Sequence, residues 1–373
     1  MLALTHYASF MVPFRALSYV VAIIIIVFFH ELGHFLVGRW CGVKIDAFSI
    51  GFGKEIWGFN DRHGTRWKFC WIPLGGYVKF EGDANAASLP SSGSKASATS
   101  LQGAKLWKRF LIVLAGPAAN FLLSIAIFAA AYMAFGQMIS EPRIDEVLAD
   151  GAAKQAGLQV GDYIRKIDNT DVHNFAEIQD LMVLRGVTPM TLVVERAGQK
   201  LDLTLTPKLA DVDDGMGGKV QMTQIGIKHD GKLDPQGVVS VGPIEALGKG
   251  AERTYFVAQT TLHYVGQVVL GKASSNQLHG PIGVAKVAGD AAILGIWPFA
   301  ILIGLFSVSI GLINLFPIPM LDGGHLLFYL IEAVSGRPIS PTAQEWSFRI
   351  GLSAILVLLV LATTNDASSF FGH

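Results

Sequence analysis

The stretch "VVAIIIIVFFHELGHFLVG", residues 20–38, is long and oily enough for a membrane span, yet its second half carries His30, Glu31 and His34. Titratable side chains are costly inside a span and mark functional sites there. On a helix, residues i and i+4 share a face, so His30 and His34 offer two imidazoles to one ion with Glu31 beside them. This is the HExxH spacing, in which two histidines hold zinc and the glutamate acts as base. The bland alternative is a polar helix end that reaches water at the membrane surface.

The rest of the composition agrees with a membrane setting. Hydrophobic residues make up 51% and charged residues 16%, against about 25% charged in a typical soluble domain. The formal net charge is zero, and without a long basic tract nucleic acid is excluded as a partner class. Cys41 and Cys70 lack CxxC spacing and read as free thiols rather than a disulfide framework or a cysteine metal site. Apolar runs fall at about 16–38, 110–135, 297–318 and 347–363, near the roughly 20 residues that cross hydrocarbon. The first is expected to be retained, since its apolar stretch is long, its basic flank thin and no small-residue cleavage site follows. Arg39, Lys44, Lys54, Arg62, Arg66 and Lys68, then Lys105, Lys108 and Arg109, place the connection from 39 to 109 on the cytoplasmic side. The segment between the second and third spans then lies outside.

Within that first connection, residues 46–80 alternate apolar and polar side chains and are punctuated by glycine. They predict β-hairpins, with Arg66 to Trp71 and Gly76 to Phe80 as strands. The serine-rich "ANAASLPSSGSKASATSLQGA", residues 84–104, reads as a mobile linker. Between spans two and three, residues 137–210 order a strand, a short helix ending at Gly157, a turn at Gly161-Asp162, a strand, a helix near 174–184 and two strands about Gly198. This order, with the phrase "AAKQAGLQVGDYIRKIDNTDV", resembles a bacterial PDZ domain, a module that captures extended peptides at a sheet edge. Residues 211–275 read as a connector holding the glycine-rich "DDGMGGK" and, over 245–275, an amphipathic helix for the external membrane surface. The fold class expected is therefore an α-helical polytopic membrane protein of about four transmembrane helices, with a membrane-associated β-hairpin region and an inserted α/β PDZ domain. Residues 1–136 and 276–373 form its N- and C-terminal membrane cores.

Two histidines leave a zinc site incomplete, because catalytic zinc takes three protein ligands and keeps a position open. The second polar intrusion into an apolar region is "GLINLFPIPMLDGGH", residues 311–325. Pro317 and Pro319 break the third span there, and such backbone is tolerated at depth where it lines a cavity. Asp322 follows, before Gly323 and Gly324, and its carboxylate is a natural third ligand. His325 is an alternative.

HELGH, the pattern from Asn314 to Gly323, and the stretches "IPLGGYVKFEGD", "WKRFLIVLAGPAANF" and "HGPIGVAK" together resemble the site-2 protease family of intramembrane zinc metalloproteases, and within it the bacterial regulator-of-sigma-E protease branch. The resemblance covers nearly the whole chain. It implies zinc held by His30, His34 and Asp322, Glu31 as catalytic base, Asn314 near the substrate, and residence in the bacterial inner membrane. The better-known enterobacterial members carry two tandem PDZ domains, whereas one is visible here.

A helical substrate must be unwound before its peptide bonds can be attacked. The strand Tyr77, Val78, Lys79, Phe80 is expected to hold an extended substrate by strand addition, a role the resemblance also implies for the β-rich loop near the metal; a hairpin that only covers the mouth of the site is the competing reading. The resemblance implies single-span membrane proteins as substrates, either anti-sigma factors already trimmed outside or remnant signal peptides, in regulated intramembrane proteolysis. Two other function classes have less behind them. A membrane-tethered PDZ adaptor does not need an unaltered HELGH, and a metal-binding transporter needs repeated halves or a polar path through several spans.

Overall fold

The computed structural model describes residues 2–83, 97, 99–138, 140–213, 219–229, 237–270 and 280–371. Most of the serine-rich segment, residues 214–218 of the glycine-rich stretch and the end of the expected amphipathic helix after 270 lie outside the described residues. The elements begin with α1 (Leu2–Trp40), β1 (Ile45–Asn60), β2 (Arg66–Phe80) and α2 (Leu106–Phe135). Next come β3 (Gln137–Met138), β4 (Glu146–Val147), α3 (Ala152–Gln155), β5 (Tyr163–Ile167), β6 (Thr170–Asp171), α4 (Phe175–Arg185), β7 (Met190–Arg196) and β8 (Gln199–Leu205). The chain continues through β9 (Lys208–Asp213), β10 (Lys219–Gln224), β11 (Ile227–Lys228) and β12 (Val238–Val239) to α5 (Pro243–Val269), α6 (Pro281–Leu294), α7 (Ile296–Leu315), α8 (Asp322–Ser335) and α9 (Pro341–Phe371).

Among the described residues, four helical segments are long and apolar enough to cross a membrane: Met11–Trp40, Leu106–Phe135, Ile296–Leu315 and Thr342–Thr364. The Ile23–Ile26 run of the first would favour a strand in water. In hydrocarbon each unpaired backbone group costs several kcal/mol, and a helix pairs all of its own. The third span stops at Leu315 rather than near 318, because Pro317 and Pro319 cannot continue it and Phe316 before them is extended.

The chain divides into two compact units, one of residues 1–129, 247–258 and 278–373, the other of 130–246 and 259–277. In the first, α6 packs on α1 and α7 through Ala22, Ile26, Ala288, Phe299, Leu302 and Ile303. Arg15 of α1 pairs with Asp290 at 2.7 Å. Asp366 of α9 accepts the Gly280, Ile282 and Gly283 amides at 2.9–3.0 Å, groups at the start of α6 that have no partner within that helix. Ser307 of α7 donates to the Asn120 carbonyl at 2.8 Å and Ser124 of α2 to that of Gly304 at 2.9 Å, joining α2 to α7.

The β1–β2 pair is more folded than a simple hairpin. Phe48 faces both Val78 and Trp67, and Ser49 both Tyr77 and Lys68, so the first half of β1 is flanked by the two ends of β2. The two short strands expected at 66–71 and 76–80 are parts of one element. Phe48 is fully buried with Phe35, Val78 and Phe80, and its ring stacks on Trp67 at 4.3 Å. Truncating such a ring costs about 3–5 kcal/mol.

In the second unit a four-stranded sheet, in the order β6-β5-β7-β8, covers α4. Asn174 and Glu177 start that helix reciprocally, with the Glu177 amide reaching Asn174 at 3.0 Å and the His173 amide reaching Glu177 at 2.8 Å. Asp162, at the Gly161-Asp162 turn, is gripped by Arg196 through bonds of 2.7 and 2.8 Å. The core of this unit takes in Ile225, with Ile227 packed against it, and β11 pairs with β4. This compact unit continues past residue 210. The strand-like "QIGIKH" is too short to pattern by itself and finds its place through a partner about 80 residues upstream.

At the tip of the first hairpin, Asp61 accepts from the Thr65 amide at 3.0 Å, the His63 amide at 2.8 Å and the Trp67 indole at 3.2 Å, and it pairs with Arg39 at the end of α1. Burial opposes its ionisation, but the Trp67, His63, Thr65 and Arg39 donors outweigh that and lower its pKa to about 2. Because this pKa is depressed in the fold, the stabilisation is complete above about pH 4 and is lost as pH falls through about 2. Asp61→Asn should therefore unfold more easily than wild type by a steady margin at neutral pH, and the margin should close between about pH 4 and 2. Thermal unfolding in detergent across that range reads it, and a margin that persists at the acid end would rule out the ionised carboxylate as its source.

Candidate metal centre

His30 and His34 lie one turn apart on α1, both buried, with ring centroids 4.9 Å apart. Their Nε2 atoms are 3.3 Å from each other and 3.1 and 3.5 Å from Asp322 Oδ2. One ligand atom from each of the three residues falls within a 4.8 Å cluster. Asp322 Oδ2 is buried and meets no donor in hydrogen-bonding geometry. Two imidazole nitrogens and a carboxylate oxygen converging in a low-dielectric space form a group able to hold a metal ion. Two nitrogens, one oxygen and an open position match the donor set of a catalytic zinc.

Each ligand is held from behind. His34 Nδ1 donates to the Ile112 carbonyl of α2 at 2.8 Å. Pro117 has no N–H for the Val113 carbonyl, which loosens the α2 ladder at this turn. Gly116 makes room for the imidazole, since a Cβ there would sit 2.2 Å from His34 Nε2. Gly33 does the same for the helices, because its Cβ would sit 2.2 Å from the Ala115 carbonyl oxygen. On the other ring, His30 Nδ1 meets the Asn120 side-chain amide at 3.2 Å.

Asp322 arrives from the broken segment between α7 and α8. Met320 adopts a φ of 98°, and the next turn closes only on glycine: a Cβ at Gly323 would sit 2.2 Å from the Phe316 oxygen, and one at Gly324 2.6 Å from that of Ile318. Asp322 opens α8, where the helix dipole favours a carboxylate. Further along α8, Glu332 takes two bonds from Arg109 of α2, at 3.1 and 2.5 Å, and the Arg109 guanidinium lies 5.0 Å from the Tyr329 ring.

Glu31 stands beside the cluster and lines the same cavity wall as Val78, whose backbone amide faces it. The ligands and Glu31 line a cavity of about 440 Å³ together with Asn314, Tyr77, Val78, Phe80, His325 and Tyr329. Of the candidate site residues, all but Lys79 line this cavity. Val78 and Phe80 reach it while their side chains are held in the hydrophobic core. His325 lines the cavity but supplies no atom to the three-ligand cluster. Sequence reasoning missed Gly116 and Asn120. The available signal was "AGPAANF", where an asparagine follows a glycine by one turn inside an otherwise apolar span.

The profile of the peptidase family M50 matches residues 18–358. A protein of Agrobacterium fabrum whose name places it among zinc metalloproteases is 46% identical over 370 residues, covering 98% of this chain and 97% of that protein. A similarly named protein of Rhizobium meliloti is 44% identical over 354 residues, covering 93% and 95%. Metalloprotease MmpA of Caulobacter vibrioides is 34% identical over 392 residues, covering 97% of each chain.

If the three ligands act as one site, the purified protein should carry about one metal ion per chain. His34→Ala and Asp322→Ala should lose most of it. Gly116→Ala should lower occupancy as well, because the added methyl takes the space of the imidazole. Elemental analysis of folded, monodisperse protein measures this, and full occupancy in Asp322→Ala would remove the carboxylate from the site.

Proposed function

The chain belongs to peptidase family M50 and is a zinc metalloendopeptidase, and on that premise we propose that it cleaves the transmembrane segments of single-span membrane proteins. The observation that carries the reading is the place of the histidines, inside a helix long and apolar enough to span the bilayer. A protease acting only on soluble peptides gains nothing from a base and ligands at that depth, where polar groups are costly.

In this reading His30, His34 and Asp322 hold zinc. When bound, zinc supplies Lewis acidity, polarising a peptide carbonyl and lowering the pKa of water to about 7. A Glu31 carboxylate oxygen takes the proton of the attacking water and passes it to the departing amine nitrogen. The Val78 amide faces that carboxylate. Asn314, on the cavity wall, has both a donor and an acceptor for the backbone of an extended substrate.

The β2 edge supplies the strand that keeps the substrate extended. The Val78 amide faces Glu31 and Phe80 gives its own to Asp83 at 3.1 Å. Substrate pairing is therefore assigned to the Gly75–Tyr77 end, which lines the cavity with the three ligands, with Tyr77 as its side-chain contact. The basic residues after α1 and before α2 support a cytoplasmic opening, which lets water reach the site. The second unit then lies on the external face of a bacterial inner membrane as a PDZ domain that sorts substrates. Anti-sigma factors already shortened outside, or remnant signal peptides, fit such a filter because little of either projects there.

Glu31→Gln tests the chemistry. It should keep its metal and fold while the cleavage rate of a single-span test substrate falls by at least about a hundredfold. Both are measured on one detergent preparation, and wild-type turnover in this variant would remove the proposed mechanism.

A further inference from the structure

We propose that Asn120 is a positioning residue that sets the tautomer of His30, with its side-chain oxygen turned toward the ring when the centre is loaded. The proposal rests on the metal reading above and extends it to a residue outside the ligand set. Ile112, Gly116 and Asn120 are spaced four apart, so they form one stripe of α2. That stripe meets both histidines: the Ile112 carbonyl faces His34 at 2.8 Å and the Asn120 amide faces His30 at 3.2 Å.

A carbonyl can only accept, so His34 carries its proton on Nδ1 and presents the Nε2 lone pair to the cluster. Asn120 is ambiguous in this respect, because half a turn of the amide exchanges its donor and its acceptor without changing shape. Its NH2 group is the one drawn against His30 Nδ1. In that orientation a neutral ring must carry its proton on Nε2, where it points into the cluster and blocks ligation. The same orientation leaves Asn120 Oδ1 buried with no hydrogen-bond partner.

Turning the amide lets Oδ1 accept the Nδ1 proton and frees His30 Nε2 to match His34 Nε2. Backing of a ligating histidine by an oxygen acceptor is the common arrangement at metal sites. The stripe cannot drift away from its task. Asn120 is fully buried, Ser307 of α7 holds its backbone carbonyl at 2.8 Å, and a Cβ on Gly311 would already stand 3.2 Å from Asn120 Cβ.

The test compares Asn120→Asp, which keeps an acceptor, with the near-isosteric Asn120→Leu, which has none. Zinc affinity is read by chelator competition, and the ligand field by the visible spectrum of cobalt-loaded protein, each on samples whose unfolding temperature has been checked. Asn120→Leu should bind zinc roughly 10–100-fold more weakly and show an altered cobalt spectrum. Asn120→Asp should stay within about threefold of wild type with an unaltered spectrum, on the same acceptor argument. Asn120→Ala replaces the leucine variant if that one does not fold. An aspartate variant as weak as leucine, or a leucine variant that binds as wild type does, overturns the proposal while zinc-loaded wild type keeps the metal reading intact. Wild type that takes up no zinc overturns both.

Discussion

Positions 33 and 116 carry no side chain, and the centre depends on that. A Cβ at either would fall 2.2 Å from an atom of the facing helix, so α1 and α2 meet at backbone distance only through these glycines. The approach brings the Ile112 carbonyl to His34 and Asn120 to His30. Without those partners two imidazoles in an apolar span would each bury unpaired nitrogens, at about 1–3 kcal/mol per group. Small residues are the usual means of bringing helices together in a membrane, where hydrocarbon offers little hydrophobic drive for association. Here the same contact also makes room for the ligands.

The carboxylate has to come from elsewhere, and that requires the helix to stop. A continuous helix through residues 296–335 would keep its amides to itself and carry position 322 past the histidines. Ending α7 at Leu315 and restarting at Asp322 puts a carboxylate at a helix N-terminus, aimed at α1. The stop is locally unfavourable: Met320 sits at positive φ, and two prolines remove amides. The surroundings hold it in place. The Gly323 and Gly324 backbone fits under the turn, and Gly351 of α9 lies so close that a Cβ there would be 2.0 Å from the Pro319 oxygen. Arg109 meanwhile clamps the other end of α8 through Glu332.

How much of this could be read from the chain depended on how far each signal reaches. HELGH is contained in little more than one helical turn, so spacing alone places His30 and His34 on one face with Glu31 beside them. The breaks at Pro317 and Pro319 and the polar Asp322 are also local, and they mark the second half of the centre without showing that it meets the first. The spans were legible within a few residues because hydrophobic length is a direct constraint. What stayed hidden was pairing. The first half of β1 is flanked by both ends of β2, and Ile225 enters a core built from residues 144–205. Both depend on contacts that no periodicity encodes. Asn120 was overlooked for a similar reason: a single amide in an apolar span acquires meaning only from the ring it faces.

The hairpin and the metal centre are joined through Glu31. Val78 and Phe80 share one face and edge of β2; the Val78 amide faces Glu31, and that of Phe80 is taken by Asp83. Gln102 donates to the other oxygen of Asp83 at 2.9 Å, which fixes that carboxylate in turn. An open strand edge is a template for unwanted pairing, and here acidic side chains close part of it. The surroundings of Glu31 therefore depend on the register of the hairpin as well as on α1. A shift of one residue would exchange the faces of β2, moving Val78 and Phe80 out of the core they share with Phe35 and Phe48 and withdrawing the amide from Glu31. Burial of those apolar side chains thereby fixes the strand that borders Glu31 in the cavity, so hydrophobic packing in the hairpin and the surroundings of that carboxylate are under one structural constraint.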